Sequence, residues 1–153
     1  MRSALFADLE ENIMAEFTAI ALQTVEENQN VLFTETPICP TKGITHREGS
    51  GIVRVSGNGS QGRARYLVAF SGNIQIPADG TVGEISVAIS IDGEPLASTE
   101  MIVTPTALEA FFNVSAQAYI DVPCGCCVTI AVENTSDQAI EVQNANLIVV
   151  RVA

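Results

Sequence analysis

The sequence predicts an all-β domain, a jelly-roll β-sandwich of about 8–10 antiparallel strands preceded by one N-terminal α-helix. Three observations predict it. From Val31 onward apolar and polar residues alternate at period two. Turn-forming residues punctuate that pattern at short intervals, in Gly57-Asn58-Gly59-Ser60, Pro77-Ala78-Asp79-Gly80, Asp92-Gly93 and Asn134-Thr135-Ser136-Asp137. Residues 1–28, in contrast, contain neither Gly nor Pro and follow another period.

In that first segment Leu5, Phe6, Leu9, Ile13, Phe17, Ile20 and Ala21 recur three and four residues apart, with acidic residues mostly between them. The spacing places one apolar stripe on a helix, and Ser3 is positioned to cap it. A heptad through Phe6, Leu9 and Ile13 would put Glu16 in the seam, which argues against a long coiled coil. The helix over residues 1–28 is expected to pack against other chains or dock onto a larger assembly. The β domain over residues 30–153 is expected to fold without it, so deleting residues 1–28 should leave a soluble β-rich oligomer.

The strands expected are Asn30–Thr34, Gly43–Arg47, Gly51–Ser56, Ala64–Asn73, Val82–Ile91, Glu94–Val103, Ala110–Val122, Cys126–Asn134 and Ile140–Val152. Asp92-Gly93 between two apolar runs is a hairpin signal. Leu147 to Val150 are apolar at consecutive positions, so this strand expects cover on both faces, one from the facing sheet and one from a neighbouring subunit.

The chain has 153 residues, the size of one domain, and 47% are apolar, enough for a real core. Only 16% are charged, against roughly 25% in typical soluble domains. So little charge points to a surface partly covered by copies of itself. The 18 acidic and 7 basic residues give a net charge of −11, which disfavours nucleic acid and anionic membranes as partners. No apolar run approaches the roughly 18 residues of a membrane-spanning helix. Asp8, Glu10 and Glu11 interrupt the run a secretory signal would need, so the segment is read as retained.

One His and no Trp leave little for acid–base chemistry, and no catalytic, cofactor-binding or metal residues are assigned. His46, Glu48 and Ser50 lie within one expected hairpin, where a catalytic triad does not converge. Gly57 to Gly62 lead into a strand and lack the helix N-terminus that would cradle phosphate. Cys124-Gly125-Cys126-Cys127 has the wrong spacing for a zinc knuckle, and its Cys-x-x-Cys has no βαβ setting. For these and Cys39, reduced thiols come first, with a disulfide from Cys39 or a metal as the other readings. Asp79, Asp92, Glu94 and Asp121 are scattered turn acids without a calcium loop, and are read as solvated charge.

Several segments, taken in order, resemble the trimeric jelly-roll superfamily of the tumour necrosis factor and complement-q globular heads. They are Val31-Leu32-Phe33, Ile44 to Gly51, Arg65-Tyr66-Leu67-Val68-Ala69-Phe70-Ser71-Gly72-Asn73, Ala88 to Glu94 and Asn144 to Val150. The likeness is nearer still to bacterial and phage members such as the heads of spore fibres, although the collagen-like stalk is missing. The resemblance implies a homotrimer, and some members of that superfamily hold calcium near the three-fold axis; with no calcium loop in this sequence, no cofactor is expected. The resemblance further implies a non-enzymatic structural protein that decorates or projects from a phage particle, in the virion, through residues 1–28. A bacterial surface or spore-fibre head that binds a glycan or protein receptor is the alternative.

Overall fold

A computed structural model describes residues 13–57, 63–125 and 127–153. It contains twelve strands: β1 (Met14–Ala19), β2 (Gln23–Val25), β3 (Glu35–Ile38), β4 (Ile44–His46), β5 (Val53–Ser56), β6 (Ala64–Gln75), β7 (Ile85–Ile91), β8 (Glu94–Pro95), β9 (Met101–Val103), β10 (Phe112–Val122), β11 (Cys127–Asn134) and β12 (Ile140–Arg151). Among the described residues there is no α-helix, and one 3₁₀ turn, Ala97–Thr99, separates β8 from β9. Antiparallel pairing arranges the strands in two six-stranded sheets. Sheet A runs β10-β6-β12-β1-β3 with β2 also on β12, and sheet B runs β4-β5-β11-β7-β8 with β9 also on β7.

The helix expected over residues 1–28 is therefore corrected wherever the chain is described; residues 1–12 lie outside the described residues. Ile13, Ala15, Phe17 and Ala19 are buried, and Met14, Glu16 and Thr18 between them point away from the core. Ile13 and Phe17 are four apart and fall on one face at either period, so the apolar stripe did not discriminate. The strand forms because β12 lies beside it, from Met14 opposite Val150 to Ala19 opposite Ala145. A partner that far away in sequence overrides local preference. β2 likewise pairs Gln23 to Val25 with Val142 to Ile140.

Two other expected strands are also revised. Val31 and Phe33 are fully buried, yet the segment makes only an isolated bridge, Asn30 to Glu133. The Phe33 N–H donates to the Ser50 carbonyl at 3.1 Å, and the Val31 N–H to the Val132 carbonyl at 2.8 Å. The two chain segments lie so close that a Cβ on Gly51 would sit 2.6 Å from the Val31 oxygen. The single strand expected over Glu94–Val103 breaks because Thr99 turns into the ladder. Its hydroxyl accepts the Ile89 N–H at 3.0 Å and donates to the Leu96 carbonyl at 2.8 Å. The Asp92-Gly93 hairpin forms as expected, with φ of 52° and 86°, the type I′ geometry that matches strand twist.

Alternation along the strands builds one core between the sheets. Phe17, Tyr66, Phe70, Leu147 and Val149 of sheet A meet Val53, Val55, Ile85, Ile89 and Ile130 of sheet B. The Tyr66 hydroxyl donates to the Ser56 carbonyl at 2.8 Å and ties the layers together, and burial pushes its pKa up. Chain direction sets the ends: Met14 stands beside Val150 at the end where the Asp92-Gly93 hairpin and the Cys124 turn also lie.

Candidate functional site

With the inward residues of sheet A spent on the core, its outward residues form cross-strand rows that can be read from the register. In one row Tyr119 lies opposite Leu67, Leu67 opposite Val150, and Val150 opposite Met14. The next holds Gln117, Ala69, Ile148, Glu16 and Ile38. A third holds Ser115, Ser71, Asn146, Thr18 and Glu35. The first two rows are predominantly apolar and open to solvent: Tyr119 is 68% exposed, Ile38 46%, Ile148 39% and Met14 38%. Small residues Ala69, Ser71 and Ser115 leave a shallow groove of about 500 Å³ bordered by Gln117, Asn146 and Ile148.

Glu16 is the one carboxylate in the first two rows. It is half-buried and accepts a hydrogen bond from the Asn146 amide. The apolar rows are bounded by the Arg65–Asp121 ion pair at 2.7 Å. That hydrogen bond holds the Asp121 carboxyl below its usual range and the Arg65 guanidinium above its own.

The two edges of sheet A differ. β3 is four residues long, contains Pro37 and pairs through a bulge, all devices that discourage further strand pairing. β10 is eleven residues long and carries neither Pro nor Lys. Its one charged side chain, Asp121, is engaged by Arg65.

The residues weighed for chemistry do not gather. His46 Nε2 lies 2.8 Å from the Ser50 carbonyl, and the ring packs against Phe17 at a centroid distance of 4.6 Å. The Ser50 hydroxyl accepts the Ile52 N–H at 3.0 Å, and Glu48 accepts the Thr36 hydroxyl at 3.3 Å. The three therefore serve three separate contacts, and the His46 ring is a rim member of the core. Cys39 is an exposed free thiol, and Arg54 donates to the Cys127 sulfur at 2.8 Å. Cys126 lies outside the described residues, as do residues 58–62 of the Gly-rich loop. Asp92 accepts the Thr129 N–H at 2.9 Å, Glu94 stands near Glu133, and Asp121 is held by Arg65. Among the described residues no three His, Cys, Asp or Glu side chains converge on a possible metal position.

Sequence reasoning found Ile148 and Val150 through the consecutive apolar run, but missed Met14, Leu67, Ile38 and Tyr119. For Met14 the available signal was Met14 to Ala19 read at period two, which turns it outward, away from buried Ala15 and Phe17; Leu67, Ile38 and Tyr119 join it only through the strand register. At the opposite end of the sandwich lies a second, polar depression of about 500 Å³ between Thr81, Glu84, Ser86, Thr135 and Gln138. Gln138 clasps Thr81 there with two hydrogen bonds, 2.7 and 2.9 Å, and buried Asn134 donates to the Val25, Glu26 and Gln138 carbonyls.

No family model matches the chain, and no curated protein sequence matches it. Solved structures do. Murine APRIL superposes with a TM-score of 0.65 at 13% identity, covering 93% of this chain and 100% of that one. The Eiger TNF of S. frugiperda gives 0.68 at 16% identity and 93% of both chains. The globular domain of the zebrafish complement 1qA protein gives 0.62 at 10% identity, over 92% of this chain and 96% of that one. The fold is the tumour necrosis factor/C1q jelly roll.

Proposed function

We propose that the protein is a non-enzymatic structural component that works as a homotrimer, with the outer face of sheet A buried between copies. The observation that carries this reading is the pairing of features on one sheet: an apolar outer face and an unguarded eleven-residue edge, β10. Face and edge are different surfaces, so contact between them is head-to-tail and generates a ring when the rotation closes. The superfamily that the sequence resembles supplies the number three. Light scattering during gel filtration should give three times the 16.2 kDa chain mass. A monomer at micromolar concentration overturns the reading.

The setting we propose is a phage particle, which the trimer decorates or projects from. Its support is the likeness of the ordered sequence segments to bacterial and phage jelly rolls. With β1 and β2 committed to sheet A, attachment to the particle falls to residues 1–12. Removing only these residues should leave the oligomer intact and abolish co-sedimentation with particles; retained attachment refutes the assignment. A bacterial surface or spore-fibre head that binds a glycan or protein receptor is the second reading. The polar depression beside Gln138 favours it, and glycan-array binding lost in Ser86→Leu would establish it over the first.

A further inference from the structure

We propose that a depression on the outer face of sheet B, at the loop end of the β4–β5 hairpin, binds an acidic sugar, with Arg47 and Arg54 taking its carboxylate. The depression has a volume of about 470 Å³ and is lined by Thr45, His46, Arg47, Ser50, Ile52 and Arg54. It shares no residue with the polar depression beside Gln138. It also lies within one copy of the chain, on the other sheet from the apolar rows, and so does not rest on the assembly reading above.

Charge singles the place out. The chain carries 18 acidic and 7 basic residues, yet from residue 42 to residue 54 Lys42, Arg47 and Arg54 stand against Glu48 alone. Among the described residues no carboxylate lines the depression. Glu48 accepts the Thr36 hydroxyl at 3.3 Å, and neither arginine forms an ion pair among the described residues. Arg54 spends one N–H on the Cys127 sulfur and keeps the rest of its fork. A cationic spot inside so acidic a chain attracts an anion from solution that the rest of the surface repels.

The hairpin register brings these groups together. Thr45 stands opposite Arg54, Arg47 and Ile52 lie nearer the loop on either side, and all four are exposed. The Ser50 backbone between them is fixed by His46 Nε2, 2.8 Å from its carbonyl. The Ser50 hydroxyl accepts the Ile52 N–H at 3.0 Å, which leaves its own hydrogen to donate. The loop's N–H groups are spent within the fold, Gly49 on the Phe33 carbonyl at 2.8 Å and Ser50 on the Arg47 carbonyl at 2.9 Å. No nest of backbone donors, the usual cradle for phosphate, is therefore open. What remains is a pair of planar guanidinium forks suited to a carboxylate. The Thr45 and Ser50 hydroxyls suit the hydroxyls of a sugar, and exposed Ile52 suits the apolar face of its ring. A volume of about 470 Å³ suits an organic ligand and exceeds what a bare ion needs.

The test is a nuclear magnetic resonance titration of the full chain with glucuronate, glucose and inorganic phosphate, with Arg47→Gln and Arg63→Gln compared. Arg63 is exposed outside the depression, and its substitution removes the same charge. Glucuronate should bind with a Kd of about 1 mM and shift the amide signals of residues 45–54. Glucose, which lacks the carboxylate, should bind about tenfold more weakly or not at all. Arg47→Gln should weaken glucuronate binding about tenfold, and Arg63→Gln should leave it unchanged. Equal weakening by the two substitutions overturns the proposal, because binding would then follow net charge. Phosphate bound as tightly as glucuronate overturns it too, because the sugar would then contribute nothing. A chain that binds glucuronate but stays monomeric in light scattering overturns the assembly reading alone, whereas a trimer that binds none overturns only the sugar site.

Discussion

Sheets A and B share one inward design and differ in what they show to solvent. Outward from sheet A project Met14, Leu67, Tyr119, Ile148 and Val150. The outer face of sheet B exposes Arg54 and Ile102 and half-buries Thr129 and Glu133, while Ser86, Ala88, Ser90 and Ala131 on that face are buried. The ends of the sheets differ in the same sense. The β8–β9 edge of sheet B is short, interrupted by a 3₁₀ turn and plugged by Thr99, while β10 of sheet A runs unbroken. Both sheets satisfy the same core, so the core does not explain the difference. Sheet A opens two largely apolar cross-strand rows to solvent, whereas sheet B covers the middle of its outer face and exposes Ile102 at the β9 edge.

The comparison can be broken at several strengths. The largest effect should come from deleting residues 1–28, the change that the helix reading expected to be tolerated. It removes β1, the strand between β12 and β3, together with fully buried Phe17. Loss of the cooperative thermal transition in circular dichroism is the expected result; a folded truncated chain would mean that sheet A closes without its fourth strand.

Next comes the contrast between the outer faces. Ile148→Asp on sheet A should abolish assembly, because a charge buried without a partner costs several kcal/mol, and should leave the monomer folded. The matched change on sheet B, Ile102→Asp, should leave the mass in solution unchanged and stability within about 0.5 kcal/mol. Equal effects of the two changes on light-scattering mass would erase the distinction between the faces.

The edges can be compared through Thr99→Val, which strands the Ile89 N–H without its hydroxyl partner. Denaturant unfolding should register a loss of about 1–3 kcal/mol. No loss would show that the plug is dispensable and the β8–β9 edge no better protected than β10.

The smallest effect concerns Glu133 on sheet B, whose pKa is raised by burial and by the neighbouring Glu94. A carboxyl with a raised folded pKa destabilises the fold above that pKa and ceases to do so below the unfolded value. Glu133→Gln should therefore raise the melting temperature slightly at neutral pH, and the gain should vanish on acidification. Asp121 has the opposite sign: held down by Arg65, it supports the fold above the unfolded carboxyl range and loses that support in acid. A Glu133→Gln gain that persists in acid would exclude the proton as its source.

By itself the sequence determined the alternation from Ala64 to Asn73, the Asp92-Gly93 turn and the apolar run of β12, hence two facing β-layers. These are local facts: side chains alternate across a strand at period two, and a type I′ turn requires two residues that tolerate positive φ. Tertiary structure decided residues 13–28, where Ile13 and Phe17 suit helix and strand equally and only pairing with β12 chooses between them. It also broke the run after Asp92, since whether Thr99 faces solvent or the Ile89 backbone depends on β7 lying beside it. The outer surface was decided there too. Met14, Leu67, Ile148 and Tyr119 lie on four different strands, and register alone brings them onto one face. Sequence neighbours carry no record of such a face, because the residues that build it never adjoin one another along the chain.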